Sequence, residues 1–221
     1  MTTEQHGPLH GKTALVTGAS GGAGLLAARA LAQTGANLYL SGVNFLNLDT
    51  VARAIKADFP VNIEIHTGNP AFETDAGAVA MACGEAEVFF SCTGNLPTGG
   101  IDDVNDAQWR KSWEAAVFAP LNMCREMLGH MGDAGQGLVV LVIDSPAAPD
   151  AADICATTAG GALKALVKAQ GKATPQGVKM LGLMTNRQLD AAAFSMAVSR
   201  LACEPDRFAT GSLLTIEDVN A

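Results

Sequence analysis

Short, wholly apolar runs alternate along the chain with longer segments whose apolar residues recur every three or four positions. "TALVTG" (13–18) is the first such run and predicts a strand buried on both faces. "GLLAARALAQTG" (24–35) follows with helical spacing and a glycine stop. "NLYLSG" (37–42) predicts a second strand, and "LDTVARAIKADFP" (48–60) a helix ended by Pro60. "VNIEIHT" (61–67) predicts a third strand, a helix lies near 72–83, and "EVFFSCTG" (87–94) predicts a fourth strand.

The second half repeats the alternation. A long helix is expected from about 106 to 131, mildly interrupted at Pro120. "GLVVLVID" (137–144) is an apolar strand suited to a parallel sheet covered on both sides. A helix at 153–170, a strand "VKMLGLMT" (178–185), a helix at 188–203 and a last strand "GSLLTIED" (211–218) complete the pattern. No repeat, low-complexity tract or linker interrupts it. The expectation is one α/β domain over 1–221, a Rossmann-like doubly wound parallel sheet.

Composition narrows the function classes. With 221 residues, 48% of them apolar, the chain can bury one sizeable core. A net charge of −8 argues against nucleic-acid or anionic-membrane partners. The N-terminal segment has no apolar stretch of the signal-peptide kind, and no run approaches the ~18 residues of a spanning helix. A cytoplasmic protein is expected. Cys83, Cys92, Cys124, Cys155 and Cys203 are odd in number, widely spaced and free of any CxxC pair. They predict reduced core thiols, and no metal site is expected.

"TGASGGAG" (17–24) joins the first strand to the first helix. Gly18 permits a tight turn, Gly22 lets backbone approach a pyrophosphate, and Gly24 lets helix and sheet pack closely. The helix N-terminus then meets phosphate with free N–H groups and its positive dipole end. The spacing TGxxxGxG, and the order of elements over about 10–218, resemble the short-chain dehydrogenase/reductase family. The resemblance implies NAD(H) or NADP(H) binding. It also implies catalysis by a Ser, a Tyr and a Lys four residues beyond the Tyr, with an Asn completing a proton relay.

Position by position, the chain departs from that pattern. Where the family places an Asp for the adenosine ribose or an Arg for a 2′-phosphate, Gly42, Val43 and Asn44 stand. "HTGN" (66–69) lacks the Asp expected near the adenine. The family's Asn-Asn-Ala-Gly reads Ser91-Cys92-Thr93-Gly94. "WRKSWEAAVFAPLN" (109–122) fits through Trp109, but the relay Asn falls on Ala116. Ser145 matches the catalytic serine, although a turn or cap serine before Pro146 would look the same. Tyr39, the single tyrosine, lies in the second strand. The family's Tyr would fall within 154–158 and its Lys within 158–162, and no register supplies the pair. After the sixth strand, Thr185-Asn186 replaces the family's Pro-Gly, and the substrate-covering loop is shortened.

Other chemistries find less support. Asp144, Ser145 and His130 lack a GxSxG elbow, and His130 suits a helix C-terminus. Cys92 and Cys155 have no neighbouring base in sequence. The leading expectation is therefore a non-catalytic subunit with a vestigial loop at Gly18, Gly22 and Gly24 and no cofactor of its own. NAD would sit in a catalytically complete paralogue, paired through the helices near 106–131 and 153–170. The family includes such heteromers, among them a hydroxyacyl-CoA dehydrogenase that oxidises a hydroxybenzylsuccinyl-CoA. Two alternatives stand beside this. One is an active NAD(P)-dependent oxidoreductase with displaced catalytic groups, Ser145 and Lys164. The other is a cofactor- or ligand-sensing binding protein.

Overall fold

The first apolar run becomes the middle of a seven-stranded sheet in the computed structural model, which describes residues 7–92, 96–146 and 148–221. The strands are β1 (Thr13–Thr17), β2 (Asn37–Gly42), β3 (Ile63–Thr67), β4 (Val88–Cys92), β5 (Gly137–Asp144), β6 (Val178–Thr185) and β7 (Leu213–Thr215). Their order is β3-β2-β1-β4-β5-β6-β7, with every pairing parallel. The chain winds outward from β1 to β3, then returns to the other side of β1 at β4. That reversal opens a crevice at the carboxyl ends of β1 and β4, where open α/β sheets bind ligands.

Helices cover both faces. α1 (Gly22–Gln33), α2 (Phe45–Asp58), α7 (Ala191–Cys203) and α8 (Ile216–Asn220) pack on one side with Leu40, Phe90 and Phe194. α3 (Glu73–Cys83), α5 (Ala119–Ala134) and α6 (Ile154–Gln170) pack on the other with Phe89, Met123 and Met127. Phe89 and Phe90 are neighbours in β4 yet enter opposite cores, as the period of two requires. Each is fully buried and contributes about 1.5–3 kcal/mol.

Three elements differ from the sequence pattern. The long helix is divided into α4 (Asp106–Trp113), a π-helical turn (Glu114–Phe118) and α5. Pro120 sits in the first turn of α5, where its missing N–H is tolerated. The last strand shortens to β7 because Thr215 and Asp218 form a capping box that starts α8. α2 begins three residues early because the Asn44 side chain accepts from the Asn47 amide. β6 passes to α7 through residues 186–190 alone, so no long covering loop stands between them. Among the described residues, no helix is long and apolar enough to cross a membrane.

Candidate functional site

A cleft of about 980 Å³ runs across the carboxyl ends of the strands. At its centre is the glycine loop. Gly18 has φ 70°, and a Cβ there would lie 2.1 Å from the Cys92 carbonyl oxygen. A Cβ on Gly24 would lie 2.1 Å from the Gly18 carbonyl oxygen, so helix and strand touch backbone to backbone. Gly22 differs from both. Its φ of 52° favours glycine, and the space where a Cβ would stand is open. Gly21, Gly22 and Ala23 line the cleft, and no side chain caps α1. The first-turn amides therefore offer unsatisfied donors beside the cleft.

One end of the cleft lies over β2 and β3. Ser41 is fully buried there, and its hydroxyl has no hydrogen-bond partner among the described residues. Val43 is 72% exposed and lines the cleft, while the Asn44 side chain is committed to its cap. The acid missing from "HTGN" comes from α3 instead: the Asp75 carboxylate accepts from the Asn69 amide at 2.7 Å. It organises backbone and is not part of the cleft lining. Buried Asn122 of α5 donates to the Pro70 and Ala71 carbonyls, both at 3.0 Å, and holds the same loop.

The other end is framed by Leu96, Pro97, Ala115, Asp144, Thr185 and Arg187. Side chains alternate along β5, so Val142 and Asp144 both face the cleft. Burial pushes the Asp144 carboxyl above its ordinary pKa; the Arg187 guanidinium pulls it down, and Asp153 adds to the rise. Arg187 itself is held by Asp153, from Nε at 2.5 Å and from Nη2 at 2.7 Å. Both of its Nη atoms also donate to the Leu96 carbonyl at 3.2 Å. One guanidinium thus ties the exit of β6, the start of α6 and the segment after β4.

Ser145, the residue singled out from sequence, is 6% exposed and outside the cleft lining. Lys164 Nζ donates to its hydroxyl at 2.9 Å, and the hydroxyl donates to the Pro146 carbonyl at 3.3 Å. It packs so closely on Gly160 that a Cβ there would stand 2.5 Å from its own. Structure therefore brings Ser145 and Lys164 together, outside the lining, and leaves Asp144, one residue earlier, facing the cleft. The residues near the family's Tyr position are committed locally: Thr157 Oγ1 accepts from the Asp150 amide and Thr158 Oγ1 donates to the Ile154 carbonyl.

Ala116 lies in the π turn and is buried against Leu96, Cys155 and Ala159. With Asp144, Gly160 and Leu163 it borders a void too narrow for a water molecule. Tyr39 is buried among the α3 and α5 side chains. His130 is exposed at the surface of α5 and is not among the residues lining the cleft. Ser91 and Cys92 line the cleft, with Thr17 Oγ1 donating to Ser91 Oγ at 3.4 Å; Thr93 and Gly94 lie outside the described residues. Cys83, Cys92, Cys124 and Cys155 are buried and Cys203 is half-buried, with no disulfide. Burial pushes the Cys92 and Cys124 thiols up to about 12, which suits inert core groups. Sequence reasoning gave no role to Arg187 and weighed Asp144 only as a hydrolase acid; the period of two along β5 was the available signal for the latter.

A parallel sheet with a switch-point crevice and a glycine-lined helix N-terminus defines a doubly wound α/β protein of the Rossmann class. The family model for short chain dehydrogenases matches residues 12–180, and the chain belongs to that family. It is 29% identical over 135 residues to 2-keto-3-deoxy-L-fuconate dehydrogenase of Xanthomonas campestris, covering 60% of this chain and 42% of that protein. It is 30% identical over 139 residues to human dehydrogenase/reductase SDR family member 4, covering 61% and 50%. The chain spans about half the length of the curated relatives it matches.

Among solved structures, a short chain dehydrogenase from Mycobacterium smegmatis superposes with a TM-score of 0.85 at 18% identity, covering 96% of this chain and 93% of that one. A metagenomic short-chain oxidoreductase in complex with NADP gives 0.83 at 23% identity, covering 94% and 98%. An NADPH-bound short chain oxidoreductase from Pseudomonas aeruginosa, described as containing an atypical catalytic center, gives 0.82 at 19% identity, covering 92% and 94%. These matches correct one expectation. The missing ribose acceptor pointed to a chain without a cofactor, yet closely superposable proteins of this fold hold NADP or NADPH. The physical reason is that the cradle is made by backbone: amides of the first turn of α1 and the space beside Gly22 survive the loss of side chains at 42–44.

Proposed function

We propose that this chain is a nicotinamide-dinucleotide-dependent oxidoreductase in which Asp144 handles the proton that the family assigns to a tyrosine. The observation that carries the reading is the Asp144 carboxyl: it lines the cleft, is half-buried, and no hydrogen bond from a described residue engages it.

The residues present fit a dinucleotide. The amides of Gly22 and Ala23 would meet the pyrophosphate, and the orphaned Ser41 hydroxyl would gain a partner on the adenosine side. At the end of β2 no carboxylate stands to accept the 2′- and 3′-hydroxyls of NAD, and no cation stands to hold a 2′-phosphate. These residues choose neither dinucleotide, and NADP(H) is the first probe because superposable proteins of this fold hold it. When bound, the nicotinamide supplies or accepts hydride.

Asp144 supplies the matching proton step. As carboxylate, its Oδ atoms take the proton of a substrate hydroxyl; as acid, they return one to a carbonyl oxygen. Its raised proton affinity suits both directions better than an ordinary aspartate would. The opposite charge of Arg187 limits that rise and favours the ionised form. Leu96, Pro97 and Ala115 give this end of the cleft apolar walls that limit water.

Calorimetry with NADP+ and NAD+, followed by turnover on a panel of alcohols and their carbonyl products, tests the proposal. The pure chain is expected to bind NADP+ and turn over. Asp144→Asn should keep dinucleotide affinity and lose on the order of 10²–10⁴ in rate. A pure chain that binds dinucleotide but turns nothing over would be a sensor, and the oxidoreductase reading would be abandoned.

A second reading keeps the chain as a subunit beside a catalytically complete relative, docked through the helices near 106–131 and 153–170. Phe118 and Leu121 support it, because 48% and 42% of their surfaces remain exposed at the start of α5. Under that reading, co-expression with the relative yields a stable hetero-oligomer whose activity does not change in Asp144→Asn.

A further inference from the structure

We infer that Arg187 is a carboxylate anchor, so that this cleft takes a small oxo acid or hydroxy acid rather than a neutral carbonyl compound or alcohol. The inference rests on the oxidoreductase reading of the same site.

Among the described residues lining the cleft, Arg187 is the single lysine or arginine. It stands at the same end as Asp144, and the two side chains attract each other. A guanidinium carries five N–H bonds. Nε and one Nη2 hydrogen go to Asp153, and one hydrogen from each of Nη1 and Nη2 goes to the Leu96 carbonyl. That leaves one Nη1 hydrogen without a described acceptor, on a side chain that is 35% exposed.

The pair with Asp153 fixes the fork in one orientation, so little rotamer entropy is lost when a ligand arrives. The cation nonetheless stays partly exposed and lines the cleft. Apolar Leu96, Pro97 and Ala115 around it strengthen a charge–charge contact by excluding water. Asp144 is the competing negative charge. Burial raises its proton affinity, which weakens its opposition to an incoming carboxylate, and the group of the ligand that faces it is the carbonyl or hydroxyl.

The occupant is therefore a molecule with a carbonyl or hydroxyl facing Asp144 and a carboxylate within reach of Arg187. A monodentate contact to the free Nη1 hydrogen, or a bidentate one if the Leu96 carbonyl is released, both meet this requirement.

The test uses short-chain oxo acids, acetoacetate among them, each paired with the neutral analogue carrying CH2OH in place of the carboxylate. Binding is measured by calorimetry with and without NADP+. At least one acid is expected to bind tenfold or more tightly than its neutral partner, and Arg187→Gln is expected to remove about that factor. Arg187→Lys, which keeps the charge and loses the fork, is expected to retain part of the gap; thermal unfolding of both variants checks that each folds. An acid–neutral gap that is absent throughout, or that survives in Arg187→Gln, overturns the inference. So does an equal loss of NADP+ affinity in Arg187→Gln, which would assign the guanidinium to the cofactor. Failure of dinucleotide binding in the unaltered chain counts against the oxidoreductase reading instead, and the gap is then read without NADP+.

Discussion

Lys164 Nζ donates to Ser145 Oγ at 2.9 Å, outside the lining of the cleft. The serine that matches the family's catalytic position, and the lysine offered beside it as a displaced catalytic group, are thus engaged with each other and with the packing of α6 on β5. Ser145→Ala should cost about 1 kcal/mol of stability through the lost hydrogen bond. Turnover should stay within a few-fold of the unaltered chain. Denaturant melts and initial rates on the same samples check both, and a hundredfold rate loss would return Ser145 to the reaction.

Gly160 carries the tighter constraint at that contact. A Cβ there would meet the Ser145 Cβ at 2.5 Å and the hydroxyl at 2.7 Å. Gly160→Ala should therefore destabilise by about 1–3 kcal/mol despite the better helix propensity of alanine. The double variant Gly160→Ala with Ser145→Gly should recover most of the loss, because the clash needs both side chains.

Asp144 links stability to pH. Its folded pKa lies above the ordinary aspartate value, so the folded state binds the proton more tightly than the unfolded chain. Stability attributable to this group is fully present below the unfolded value near 3.8 and is lost as pH rises through the folded value. Asp144→Asn should remove that decline and leave the protein more stable than its parent at pH 7. Melting temperatures taken from pH 4 to pH 8 read the difference directly. Alcohol oxidation by the parent should rise with pH through the folded value, as the carboxylate forms.

Val43 is exposed, lines the cleft and follows the last residue of β2. Val43→Asp should give the ribose hydroxyls of NAD an acceptor and place a charge against the 2′-phosphate of NADP. A shift of about tenfold or more toward NAD+ is expected, from a charged hydrogen bond of roughly 1.5–3 kcal/mol. Val43→Arg should move selectivity the other way. The ratio of dissociation constants for NAD+ and NADP+ is the readout.

Asn122 reaches from α5 to two carbonyls of the β3–α3 loop. Asn122→Ala should leave the Pro70 and Ala71 oxygens without that donor, costing about 1–3 kcal/mol. Because Asn69 and Pro70 line the adenosine end, dinucleotide affinity should fall while the rate at saturating cofactor is kept.

The sequence by itself determined the frame. Apolar runs long enough to be buried on both faces must become inner parallel strands, and amphipathic segments between them must cover the sheet; β6 falls at 178–185 as its pattern requires. Gly18, Gly22 and Gly24 were legible because each answers a backbone demand that only the absence of a Cβ meets. Tertiary structure decided the chemistry. Which of Asp144 and Ser145 faces the cleft depends on the phase of β5, set by its pairing with β4 and β6, and a shift of one residue exchanges the two. Arg187 joins Asp153 and the Leu96 carbonyl across 34 and 91 positions of the chain. That partnership exists only once the crevice has closed three segments together, because contact and burial, unlike periodicity, have no local signature along the chain.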